Sequence, residues 1–480
     1  MTAHEARRLV VRARDALIGP SRPMRVDPIR LPEPELRAAY RILNFALRAG
    51  GLMLSSGAGT IEVEATILDL AAACGLHQCE VDVTFTSMTA SYIRADDVEP
   101  ITAVRVVRHR TVDYGLLAGV DALRVDLTAG RISPEEAFAR FDAVEAAPEP
   151  RRPVVLLSWA GMAAAFAVLL GGGPLVAAVA FVSTAVVTWL LRALARWGIP
   201  DFFLSAAGAA VATTFAMVLV ALHAPAQSDL VVAGGIMVLV PGYSLVASVQ
   251  DALTGFPISG SARGLEVLLT ATGIITGVAG ALYASVSLGL SLHLGSVELT
   301  PFVQVPVQVV AAGVASALYG AATRVPRRSL LAAGTVGAVG WALLLLLRHG
   351  GLSLIVAAAA AAVAIGLAGN VMAGRQRTHP FLFVVPGVMP LVPGLTIYQG
   401  MLDLFTGSPQ AAATLARALA IGLAIAAGVT LGNQMLRPLR RVSNTSPVRR
   451  APTDGHPAVG PADGAEGPEA EPEAEAEAPE

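Results

Sequence analysis

One stretch of this chain occurs twice. Residues 235–257 read GIMVLVPGYSLVASVQDALTGFP and residues 387–409 read GVMPLVPGLTIYQGMLDLFTGSP. Displaced by 152 positions, ten of the 23 residues are identical without a gap, far more than a composition rich in small and aliphatic residues produces by chance. Both copies lie in apolar stretches long enough to cross a bilayer, and a Pro-Gly pair interrupts each. Internally repeated apolar halves with Pro/Gly-broken spans are the signature of secondary transporters. Kinked helices converging independently explain one Pro-Gly pair. They do not explain the matched aspartates Asp251 and Asp403, or the matched Thr254-Gly255 and Thr406-Gly407.

The whole chain is 54% hydrophobic and only 15% charged, with a mean hydropathy of +0.62, which excludes an ordinary soluble domain of this size. Residues 1–152 and 442–480 carry most of the charge. All 34 basic residues are Arg, and the net charge of −2 points to no nucleic-acid partner. Two cysteines, Cys74 and Cys79, are too few for a disulfide framework or a Cys-only zinc site and read as reduced, packed thiols. Arg7, Arg8, Arg12 and Arg14 are followed by no apolar core, so no signal peptide is expected.

A bilayer core of about 30 Å needs about 20 apolar residues per helix. Ten segments qualify: 153–170, 174–191, 202–222, 229–249, 264–290, 303–321, 329–347, 352–373, 380–402 and 412–436. Alternate connections carry Arg192 and Arg196, then Arg263, then Arg324, Arg327 and Arg328, then Arg375 and Arg377, and Arg437 to Arg450 follow the last span. The intervening connections lack Arg, with Arg348 as the exception and Arg417 in the first turns of the last span. Cytoplasmic connections are enriched in Arg, so both termini are predicted to be cytoplasmic. Ten spans divide into membrane repeats 153–290 and 303–437 of five spans each. An odd number per repeat inverts the second half relative to the first.

Before the spans, residues 34–150 read as a small α+β domain after a flexible stretch at 1–33. An amphipathic helix covers 34–54, with Leu36, Tyr40, Leu43, Leu47 and Leu54 at helical spacing. A turn and a second helix to Gly75 follow, with Thr60 as the expected N-cap. A strand or hairpin is predicted over 79–93 and another over 101–109, and helices over 113–130 and 134–146. Glu62, Glu64, Asp69, Glu80 and Asp82 lack metal-ligand spacing and read as a solvated face. The tail at 442–480 is rich in Pro, Ala and acidic residues and is predicted to be disordered.

Several of these segments resemble one family. LNFALRAGGLMLSSGAGTIEVEATILDLAAACGL (43–76) and EVDVTFTSMTASY (80–92) resemble the cytosolic domain of the bacterial threonine/serine exporters. LVPGYSLVASVQDALTGFPISGSARGLEVLL (239–269) and MPLVPGLTIYQGM (389–401) resemble its two membrane motifs. The resemblance covers about residues 35 to 440. It implies a polytopic α-helical protein of the plasma membrane that exports threonine and serine on the proton motive force, with no cofactor and no metal. Split relatives are associated with dicarboxylate export, which keeps small dicarboxylates such as succinate as an alternative substrate. A homo-oligomer is compatible with this class, and a membrane-tethered enzyme or sensor working through the N-terminal domain is a further alternative. Ser55, Ser56 and His77 form no recognisable hydrolase motif for that last reading.

The residues suggest where a zwitterion is held. Pro lacks an N–H and Gly is flexible, so Pro241-Gly242 and Pro393-Gly394 are predicted to break their helices. Ser244 and Thr396 are expected to cap the restarted half-helices, whose free N–H groups suit a carboxylate. Tyr398 joins this substrate-binding set, and Gln304, Gln308, Asn370, Gln399 and Asn433 are further cavity candidates. Asp251 and Asp403 occupy equivalent places on opposite faces, where gates belong, and Arg263 is within reach of Asp251. Glu266 lies nearest to the inside of a span, where a charge costs roughly 2.5–3.5 kcal/mol. Glu266 and Asp251 are the candidate proton carriers. His223 and His293 are weak candidates in external connections.

Overall fold

A computed structural model describes residues 34–93, 99–108, 110–148, 151–223, 228–287, 305–376, 378–405 and 407–435. The expectations for 1–33 and 442–480, and those for His293, Gln304 and Thr406, lie outside the described residues.

The N-terminal part begins with two helices, α1 (Pro34–Ser55) and α2 (Thr60–Ala73). They pack on an antiparallel sheet of β1 (Cys79–Val83), β2 (Ser87–Tyr92) and β3 (Ile101–Val106), in that spatial order. Helices α3 (Tyr114–Thr128) and α4 (Pro134–Glu145) complete it. Each start follows from local chemistry. The Ser133 hydroxyl accepts from the Glu136 N–H at the head of α4, and Asp113 Oδ1 accepts from the N–H groups of Gly115 and Leu116 at the head of α3. Leu43, Leu47, Ile67, Leu70, Met88 and Leu117 form the core between these elements. Thr60 is not the N-cap of α2. Gly59 takes that place, and Thr60 is the first helical residue, its N–H committed elsewhere.

The apolar part runs as two series in the same order. The first is α5 (Arg152–Leu169), α6 (Pro174–Ala195), α7 (Asp201–Ala221), α8 (Ser228–Ile236), α9 (Gly242–Leu253) and α10 (Pro257–Ser287). The second is α11 (Val305–Ala322), α12 (Arg327–His349), α13 (Leu354–Gln376), α14 (Phe381–Val388), α15 (Gly394–Phe405) and α16 (Ala411–Met435). Helices α9 and α15 start and end at positions separated by the same 152 residues as the repeated motif (242 to 394, 253 to 405). Within the first series α5 packs on α6, α6 on α7, α7 on α10 and α9 on α10, and each pairing recurs between the corresponding helices of the second. Across the halves, α5 packs on α11, while α9–α16 and α15–α10 make a corresponding pair of contacts.

Among the described residues eight helices are long and apolar enough to cross a membrane, or nine if the bent pair Phe381–Leu391 and Gly394–Gly400, inclined at 43°, counts as one span. The ten predicted spans are reduced because the Pro-Gly sequences break the fourth and ninth. Residues 229–249 form the short helices α8 and α9 joined through a turn at 237–240, neither long enough to cross alone. Small residues set the helix crossings. A Cβ on Gly277 of α10 would lie 2.0 Å from the Ala206 carbonyl oxygen of α7, and one on Gly432 of α16 would lie 2.5 Å from that of Val363 in α13.

Candidate functional site

The two broken helices meet at their breaks. A Cβ on Gly394 would come within 2.9 Å of the Met237 Sδ, so the second break lies directly against the first, and a larger residue there would displace the Met237 side chain. At both restarts the proline carbonyl accepts the first helical bond, from Leu245 N to Pro241 O at 3.0 Å and from Ile397 N to Pro393 O at 2.9 Å. The prolines are therefore the N-cap residues, and Ser244 and Thr396 sit in the first turn rather than at the cap. This corrects the expected capping role. A proline fits that place because its fixed φ precedes a helix without strain, and it has no side-chain acceptor to quench the first-turn N–H groups.

A cavity of about 700 Å³ opens beside the second break. Pro393, Thr396, Gln399 and Asp403 of the α15 segment face Gln410, Thr414, Arg417 and Ile421 of the α16 segment across it. Phe166, Trp341 and Leu344 contribute an apolar wall. Thr414 donates its hydroxyl to Asp403 Oδ2 at 3.0 Å. Tyr398 does not line this cavity. It is 5% exposed, packed in the core around α8, and borders a void of only about 10 Å³ with Met237 and Gly394. Asn370 donates to Asn433 at 2.8 Å, tying α13 to α16, and Gln308 is buried. Pro241, Gly242 and Ser244 lie at the first break, outside the cavity lining.

The other carboxylate is closed in. Asp251, near the end of α9, forms an ion pair with Arg263 of α10 at 3.1 Å, the two side chains 2% and 6% exposed. Its Oδ1 accepts from the Thr60 N–H at 3.1 Å, so the first helical amide of α2 in the N-terminal part reaches a residue 191 positions away. The β1–β2 turn adds Phe85, whose ring lies 3.5 Å from the Arg110 guanidinium and 5.8 Å from that of Arg263. Burial, reinforced by the Arg263 cation, pushes the Arg110 guanidinium down to about 10 against the opposing pull of Glu266 and Asp251. Glu266 itself is exposed on α10, outside the buried pair.

A second contact docks the N-terminal part beside the first. Asp113, which caps α3 with one oxygen, takes the Arg324 guanidinium with the other. Tyr114 N donates to Thr323 O at 2.8 Å, and the Tyr114 ring meets Phe381 edge-on at 6.0 Å. Arg324 holds φ +66, a left-handed conformation unusual for a non-glycine residue, at the connection between α11 and α12. All these contacts fall on one side of the helices, at 251–263, 323–324 and 381. The cavity opens towards the opposite ends, at 169–170, 344–354 and 410–417.

Two of these features escaped the sequence reading. Nothing local links Thr60 to Asp251. Arg417 was visible only as an exception to the alternation of Arg-bearing connections, and its place in a cavity with Asp403 required the packing of α15 on α16.

Known proteins match this chain over most of its length. Residues 44–284 match the family model described as "Putative threonine/serine exporter", and residues 308–435 match "Threonine/Serine exporter, ThrE". A "Probable threonine/serine exporter" of Mycobacterium tuberculosis is 33% identical over 413 residues, covering 83% of this chain and 77% of its own. A "Threonine/serine exporter" of Corynebacterium glutamicum is 32% identical over 418 residues, 85% of each chain. No solved structure matches the chain. These names describe a transporter and not an enzyme. The chain belongs to the threonine/serine exporter family.

Proposed function

We propose that this protein is a secondary active transporter that exports threonine and serine across the plasma membrane, driven by the proton motive force. Ten crossings, two of them broken, make two inverted five-span repeats. Both termini and the N-terminal α+β domain face the cytoplasm, where the Arg-bearing connections lie. The observation that carries the reading is the pair of Pro-Gly-broken helices whose matched aspartates have opposite surroundings. Asp251 is sealed by Arg263 and the Thr60 N–H, while Asp403 borders an open cavity. The recurrence of the same helix pairings in both halves supports the repeat.

In this mechanism the Asp251–Arg263 pair is the inner gate and Asp403 belongs to the outer one. The outward cavity releases the amino acid beside the first-turn N–H groups of α15, whose positive dipole end suits a carboxylate. Protonating Asp251 removes the charge that holds both Arg263 and Thr60, so a proton arriving there opens the inner end. Asp251 fits the proton-carrier role better than Glu266, because burial links its charge state to the seal.

The test is counterflow of labelled threonine in proteoliposomes, with and without a pH gradient, for the wild type, Asp251→Asn and Glu266→Gln. Threonine and serine exchange that responds to the gradient, with the response lost in Asp251→Asn and kept in Glu266→Gln, is the expected result. Exchange of succinate without threonine would replace the substrate, and loss of the response in Glu266→Gln alone would move the proton.

A further inference from the structure

We propose that Arg417 and Asp403 form a substrate site for the zwitterionic head group, Arg417 taking the α-carboxylate and Asp403 the ammonium. The proposal deepens the exporter reading and rests on it. Thr396, Gln399 and Asp403 recur at intervals of three and four along α15, so they share one helical face. Gln410, Thr414, Arg417 and Ile421 do the same at the start of α16. The two faces look at each other across the cavity of about 700 Å³, within the roughly 300–1,000 Å³ range of small-molecule sites.

Among the described residues that line the cavity, Arg417 is the single cation and Asp403 the single anion. That pairing suits a molecule with one charge of each sign and is a poor match for a dianion, which would meet Asp403 with its second carboxylate. Between the charges stand Thr396, Gln399 and Thr414, hydroxyls and an amide able to bond a side-chain hydroxyl. Thr414 holds Asp403 from the α16 side at 3.0 Å and fixes where that carboxylate points. An Arg near the outer end runs against the Arg bias of the other connections and carries an insertion cost, and charged side chains kept in such places usually bind something. A guanidinium presents its donors as a planar fork that matches a carboxylate, which a lysine does not reproduce.

The experiment uses the full-length protein and three probes: threonine, threoninol (no carboxylate) and 3-hydroxybutyrate (no ammonium). Each competes for labelled-threonine counterflow from the outer side. In the wild type threonine is expected to compete best. Arg417→Gln should weaken threonine about 10- to 150-fold while leaving threoninol unchanged, because only threonine loses a charge-assisted bond. Asp403→Asn should weaken threonine similarly and leave 3-hydroxybutyrate unchanged. Arg417→Lys should recover part of the loss.

A measurement on the unaltered protein guards against misfolded variants. Phenylglyoxal modification of Arg417, read on its peptide by mass spectrometry, should be slowed by threonine and not by threoninol. No threonine counterflow by the folded wild type overturns the exporter reading and this assignment together. Normal wild-type counterflow with an unchanged threonine-to-threoninol ratio in Arg417→Gln, or equal protection of Arg417 by both probes, overturns the assignment alone.

Discussion

Replacing Thr60 by Pro isolates one hydrogen bond of the proposed inner seal. Thr60 is the first residue of α2, a position where proline is favoured because its missing N–H is one the helix does not use. The preceding Gly59 has φ −68 and ψ 151, the extended conformation that a residue before proline requires. The substitution therefore leaves α2 intact and deletes the N–H that Asp251 Oδ1 accepts at 3.1 Å. A hydrogen bond to a charged group contributes about 1.5–3 kcal/mol, so the ratio of sealed to open inner ends should fall about 10- to 150-fold. The ring also thrusts a carbon towards Asp251, which adds to the effect. Any gain from a stiffer unfolded chain cancels, since both states are folded. The readout is alkylation of Ser248→Cys, one turn deeper along α9, by an impermeant maleimide from the inner face, in a background without Cys74 and Cys79. Thr60→Ala keeps the N–H and serves as control. Equal labelling rates for Thr60→Pro and Thr60→Ala, both folded, would refute the reasoning.

Other sites give independent tests. A Cβ on Gly277 would sit 2.0 Å from Ala206 O, whereas one on Gly280 meets nothing within 4 Å. Gly277→Ala should lower the detergent melting temperature, corresponding to about 1–3 kcal/mol or more, and Gly280→Ala should raise it slightly. Arg324→Gly and Arg324→Ala both lose the ion pair to Asp113, but only Gly relaxes the φ of +66. Calorimetry should therefore find the Ala variant less stable than the Gly variant by about 1 kcal/mol. Burial pushes the Cys74 thiol from 9.0 up to about 11. Two units remove about two decades of thiolate below pH 9, and the higher intrinsic nucleophilicity returns about one. Cys74 should react about 10-fold more slowly than an exposed thiol with an aromatic disulfide at pH 8, its rate rising with pH until about 11.

Much of the architecture is legible in the sequence because membrane helices announce themselves by length and apolarity, and the repeated motif marks the break in each half. The N-terminal helices and strands lie within a few residues of the predicted ones, helped by local signals such as Ser133 before Pro134. What failed was geometry at single residues. Ser244 and Thr396 look like caps because hydroxyls usually are, yet the proline carbonyls close the first bonds. Thr60 looks like a cap for the same reason, and its amide is used by a carboxylate 191 residues away. Glu266 looks internal on a hydropathy count, while the helix leaves it exposed, one turn from Arg263. Contacts between distant segments leave no periodicity, and these are where the candidate site was hidden.

The two halves are alike in sequence and helix pairing, and they differ at their ends. On the inverted-repeat reading, an exchange of conformations between the halves would open Asp251 and seal Asp403, and the two states would be nearly equal in energy. The N-terminal part breaks that balance. Its contacts fall on Asp251, Arg263, Arg324, Thr323 and Phe381, all at the same ends of the helices, the inner ends on that reading, and it has no counterpart in the second half among the described residues. Moving an equilibrium from 1:1 to 99:1 takes about 2.7 kcal/mol, half of what a shift from 1:99 requires. One charge-assisted bond at Thr60 and the partly buried Asp113–Arg324 pair together supply an amount of that order. On that reading an inner end closed at rest follows from docking alone, without any difference between the repeats.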